Sequence, residues 1–70
     1  DPGNAQWQAD LAASCGKLGT TPALPVSERR ALLLRGRAIQ QQLKAAGRLA
    51  PAQDWIAIFD AALSKLDAPD

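Results

Sequence analysis

Apolar residues recur three and four positions apart in three stretches of this chain, and no stretch shows the strict alternation of a strand. The first stretch predicts a helix from about Asn4 to Leu18, with Asn4 as N-cap and Gly19 just past its end. At about 100° per residue, Trp7, Leu11, Cys15 and Leu18 share one face. Ala5, Ala9, Ala12 and Gly16 share the opposite one, which is small enough to let a second helix approach closely. The second stretch predicts a helix from Ser27, as N-cap, to about Ala46, ending at Gly47. Val26 is placed for the N′ half of a hydrophobic staple. Its expected buried seam is Leu32, Gly36, Ile39, Leu43 and Ala46, leaving Leu33 and Leu34 off it. The third stretch starts near Ala52 to Asp54 and reaches about Leu66. Trp55, Phe59, Ala62 and Leu66 lie on one side, while Ile56, Ile58 and Leu63 widen its apolar arc.

Between these segments the chain is punctuated. Pro22 and Pro25 make Gly19–Ser27 a loop, and Leu49-Ala50-Pro51 is a short connection. The residues after Leu66 read as a fraying end. Three helices with short links describe an all-α protein, most simply an antiparallel three-helix bundle in one structural domain.

Composition narrows the class. Seventy residues, 47% of them hydrophobic and 21% charged, fit one small globular unit rather than a disordered segment. One Cys and no His leave no disulfide framework and no His/Cys zinc site, so no metal or cofactor is expected. No apolar run approaches the roughly 20 residues that span a bilayer, and the N-terminal stretch lacks signal-peptide order. The expectation is a cytoplasmic protein with no membrane partner.

Charge is uneven although the net is only +1. Residues 28–48 carry six Lys or Arg against one Glu, and the remainder carries two Lys against six Asp. The asymmetry reads first as helices of opposite charge packed side by side. Arg30, Arg37 and Lys44 recur every seven residues and form one stripe. Such a stripe is either a solvated helix face paired with neighbouring acids or an anion contact for nucleic acid. Near-neutral balance and the lack of accompanying aromatics favour the former.

Candidate chemistry is sparse. Cys15 has no His to act as its base and lies on the Trp7 face, which suits a small buried hydrophobe. Asp10, Asp54 and Asp60 show no pairing that prescribes acid–base work. No catalytic residue is assigned, and an enzyme is not expected. Trp7 and Trp55 fall in apolar seams and are expected in the core. Leu34, with Leu33 beside it, is the candidate for contact with another chain.

One stretch carries a resemblance. Residues 1–19, "DPGNAQWQADLAASCGKLG", are similar to the first helix of a bacterial tetratricopeptide-like repeat together with the phrase that joins it to the preceding unit. The matching positions are Asp1, Pro2, Asn4, Trp7, Gln8, Asp10, Leu11, Ser14, Lys17, Leu18 and Gly19. The sequence departs from the pattern at Cys15, where repeats usually carry an aromatic residue, and at Ala13 and Gly16, where side chains are reduced. After Gly19 the prolines replace the usual direct turn into a second helix. The closing "GRLAPAQDWIAIFDAAL" resembles the end segment of such proteins.

The resemblance implies the C-terminal end of a repeat array: residues 1–19 a degenerate repeat helix, 20–26 a linker, 27–70 a two-helix cap. Terminal units differ because an ordinary repeat would leave its core face open. The implied function is a non-enzymatic interaction or scaffolding module, its partners the preceding repeats or a protein or peptide segment. The expected contact residues are Ala5, Ala9, Ala12 and Gly16, then Leu33 and Leu34, and the isolated segment is expected to be able to form a homodimer. The runner-up is a small basic helical domain binding nucleic acid through Arg30, Arg37 and Lys44.

Overall fold

Proline and glycine set where each helix stops, and small side chains set how closely the helices meet. In the computed structural model, which describes residues 2–67 with side chains from Asn4, three helices follow one another: α1 (Pro2–Gly19), α2 (Val26–Ala45) and α3 (Ile56–Asp67). A single 3-10 turn, Pro51–Gln53, precedes α3, and no strand occurs among the described residues. The junction phrase at Asp1 and the end after Asp67 lie outside them. The all-α three-helix arrangement expected from periodicity is the observed one.

α1 begins earlier than expected, so Asn4 sits inside the helix rather than capping it. At the other end Gly19 is still helical, and two threonines do the capping. The Thr20 hydroxyl donates to the carbonyls of Gly16 and Lys17 at 3.0 and 3.2 Å, and that of Thr21 to Lys17 at 2.8 Å. Gly19 is needed for a different reason. A methyl group built on it would lie 2.6 Å from Leu33 Cγ.

α2 starts one residue before the expected cap. Pro25 stands at the N-cap position, at φ −58° and ψ 149°, with no side-chain hydrogen bond. Ser27 is therefore within the first turn, and Val26 is exposed rather than stapled. The pyrrolidine ring already holds the extended turn from which the helix departs. The C-terminus meets the expectation: Gly47 has φ +70°, Arg48 N–H donates to Leu43 O at 2.8 Å and Gly47 N–H to Lys44 O at 3.0 Å. These two bonds form a Schellman motif, in which glycine adopts the left-handed conformation at least cost.

Contacts fix the directions. Gly19 meets Leu33 while Cys15 meets Gly36, so α1 and α2 run antiparallel. Arg30 pairs with Asp67 and Lys44 with Asp54, so α3 runs antiparallel to α2. The described body measures 42 × 18 × 16 Å, with α2 contacting both other helices.

The core is built from small residues around one aromatic ring. Ala9, Ala12, Cys15, Leu33, Leu43 and Phe59 are buried. A methyl on Gly36 would lie 2.6 Å from the Phe59 ring and 3.1 Å from Cys15 Cβ, so all three helices converge at this glycine. α1 is thus turned away from the orientation its large residues suggest, although Cys15 of that face stays inside. Ala9 and Ala12 face inward, whereas Trp7 is 62% and Leu18 49% exposed. Close packing through alanine and glycine gains dispersion contacts along the whole interface. A Trp7 seam would instead hold the helices apart. α2 is turned correspondingly: its buried line is Leu33, Gly36, Gln40 and Leu43, while Leu32 and Ile39 are half-buried and Ala46 is exposed.

Candidate functional site

Three sets of residues bear on function: a polar clamp, a charged ladder and an apolar groove.

The clamp is Gln40, a fully buried polar side chain on the α2 core line. Its Nε2 donates to the Gln53 carbonyl at 2.8 Å, and its Oε1 accepts the Trp55 N–H at 2.7 Å. One amide thus satisfies both a donor and an acceptor of the backbone at the start of α3. Asp54 completes the junction, with Oδ1 accepting the Ile56 N–H at 3.2 Å and Oδ2 accepting from Lys44 Nζ at 2.9 Å. Together they set the angle at which α3 leaves the turn.

The ladder is the basic stripe of α2. Arg30 pairs with Asp67, Arg37 with Asp60, and Lys44 with Asp54. Heptad spacing of cations on one helix meets nearly equal spacing of acids on its antiparallel neighbour. The stripe is therefore an intramolecular seam paired with neighbouring acids, the favoured of the two readings, and the side-by-side packing of oppositely charged helices is what the charge asymmetry reflects. Pairs this exposed contribute little stability each, but they penalise any other register.

The Lys44 ammonium and the Ile56 N–H hold the Asp54 carboxyl below its usual value, and the hydrogen bond and charge of Asp60 raise Arg37. For Asp54 the folded pKa is the lower one. Its contribution is then present above the unfolded value near 3.8 and lost as pH falls through the folded value. A melting series from pH 6 downward is expected to show the wild type losing its margin over Asp54→Asn in that acidic window. Asparagine keeps an acceptor for Ile56 but not the charge. Parallel melting curves at every pH would remove Asp54 from the account.

The groove lies between α1 and α3. At its base Phe59 touches Gly16, and around this contact opens a hollow of about 380 Å³. Ala13, Gly16 and Lys17 of α1 form one wall, Ile58 and Ala62 of α3 with Trp55 just before it form the other, and Leu33 lies beneath. A second hollow of about 290 Å³ shares Thr20 and Ala62 with the first and continues past Arg29 and Lys65.

The predicted contact residues divide among these features. Ala9 and Ala12 are buried inside the molecule, whereas Ala5 and Gly16 are half-buried, Gly16 lying against Phe59 at the groove wall, so the chain itself covers only part of this small-residue face. Leu33, expected beside Leu34 at the surface, is 1% exposed because Gly19 admits it. Leu34 is 51% exposed, as expected. Trp7 and Leu18 provide an open apolar face on α1 that the large-residue rule assigned to the core, while Trp55 is half-buried in the groove wall. Cys15 is buried and free. No group of three or more metal-capable side chains occurs among the described residues, and no described helix is long and apolar enough to cross a membrane.

No family model matches this chain, and neither a curated protein nor a solved structure does.

Proposed function

We propose that the chain is a helical protein-interaction module, acting as the terminal unit of a tetratricopeptide-like array. One observation carries the proposal: α1 buries Ala9 and Ala12 within the molecule and leaves Trp7 and Leu18 open. Large apolar side chains held on a regular helix present a docking face of the kind that neighbouring helical units cover. The partner would be a preceding repeat or another helical segment, with a second copy filling the place when none is present. The basic stripe offers no support for a nucleic-acid reader, since its three cations are engaged by Asp67, Asp60 and Asp54.

Light scattering and thermal melting on the same samples, across a wide concentration range, test the proposal. The mass should rise from monomer toward dimer and the melting point should climb with it, and Trp7→Ala should abolish both trends. A monomer with a fixed melting point throughout would overturn the α1 face as a docking surface.

A further inference from the structure

We propose that the groove between α1 and α3 receives an acidic amphipathic helix of a partner protein, with Lys17, Arg29 and Lys65 holding its carboxylates. This rests on the interaction-module proposal but concerns a different face from the one carrying Trp7.

Shape supplies the first part. The walls are two helices, and small side chains at Ala13, Gly16 and Ala62 alternate with the larger Lys17, Trp55 and Ile58. Such walls leave room for the side chains of a third helix, and the two adjoining hollows continue along the same slot. Apolar anchors supply the second part. Ile58 is 63% exposed at the rim, with Trp55 and the Phe59 ring below it. An amphipathic helix would cover these with residues spaced i, i+3, i+4 and i+7.

Charge selects the partner. The charged residues lining the slot, Lys17, Arg29 and Lys65, are all cations. None of them has an acidic partner among the described residues, whereas Arg30, Arg37 and Lys44 on the far side are each paired. Arg29 spends only its Nε, on the Gly19 carbonyl at 3.3 Å. A second copy of this chain fits poorly. The acids of α3 are engaged in the ladder, and the exposed Leu34 of α2 is flanked by Arg35. Carboxylates on both edges of an apolar face are the complement that remains, and they would speed encounter as well as set orientation.

The probe is a fluorescein-labelled peptide of about 16 residues, with leucines at helical spacing and glutamates on either flank, compared with the same peptide carrying lysines. Fluorescence anisotropy would be read at about 50 mM and about 300 mM salt, since screening weakens exposed pairs. The acidic peptide should bind, lose affinity several-fold at the higher salt, and exceed the lysine peptide by about tenfold or more. Ile58→Glu, an exposed substitution whose fold is checked by circular dichroism, should remove most of the binding. The Lys17→Glu/Lys65→Glu double variant should reverse the peptide preference, and Trp7→Ala should leave it intact. Equal binding of the two peptides, indifference to Ile58→Glu and to the double variant, or loss on Trp7→Ala would each overturn the groove assignment. If neither peptide binds while the wild-type melting point still climbs with concentration, the groove proposal falls and the Trp7 face stands. If both tests are flat, both proposals fall.

Discussion

Phe59→Ala is expected to detach α3 and leave the protein largely unfolded. Removing a buried phenylalanine costs about 3–5 kcal/mol, the spread reflecting how far the surroundings collapse. Below about 70–80 residues a single hydrophobic core rarely supplies more than about 3–5 kcal/mol of net stability. Phe59 has few substitutes, because its ring meets Gly16, Gly36 and, across Gly36, the Cys15 side of α1. Alanine there would open a void at the point where all three helices meet. Denaturant titration followed by circular dichroism should show the midpoint falling to near zero. Phe59→Leu, which keeps much of the volume, should retain a cooperative transition at a lower midpoint. A Phe59→Ala protein as stable as the wild type would mean that the three helices do not meet where described.

Gln40→Leu is the second. Leucine has a similar volume and is more apolar, so a view based on burial alone expects a gain. Yet the Gln53 carbonyl and the Trp55 N–H lose their partner inside the junction. These bonds are part-buried, so each backbone group left unpaired costs toward the lower end of about 1–3 kcal/mol, against a smaller gain from the apolar replacement. The net expectation is a loss of about 1–2 kcal/mol by denaturant unfolding. Gln40→Glu separates hydrogen bonding from packing. In its neutral form a carboxyl can donate to Gln53 and accept from Trp55, but once ionised it cannot donate. Burial disfavours the charged form, so the folded pKa is raised, and the variant should be closest to wild type in acid and lose ground as pH rises. A deficit unchanged with pH would assign the role of Gln40 to shape alone.

Both residues show what could be read from the sequence. The number of helices and their breaks were legible because Pro22, Pro25, Gly47 and Pro51 act on the local backbone, with little reference to the rest of the molecule. The orientation of α1 was not, since it depends on a partner surface. Large apolar residues mark a core when helices pack at ordinary spacing. Here Gly36 on α2 offers a site where small residues of α1 come closer, and Trp7 is displaced outward. The signal was present as small residues on two helices at once, and it required pairing them. The ladder was half legible. Its cations were seen as a stripe, and Asp54, Asp60 and Asp67 show matching spacing when the third helix is run antiparallel. The clamp had the faintest trace: a glutamine four residues after Gly36 and three before Leu43, on a line otherwise apolar. The groove has no linear signature, because its walls come from segments some forty residues apart.

Gly36 and Phe59 also bear on how such a chain can change over generations. The space at their meeting point is shared, so any side chain gained at position 36 must be surrendered at 59 or at Cys15. Helix propensity alone would favour alanine over glycine by about 1 kcal/mol in the middle of α2. That drift is blocked while the ring remains. Substitutions at these sites should therefore accumulate as compensating pairs, and a glycine in a long helix becomes the record of an aromatic residue twenty-three positions away.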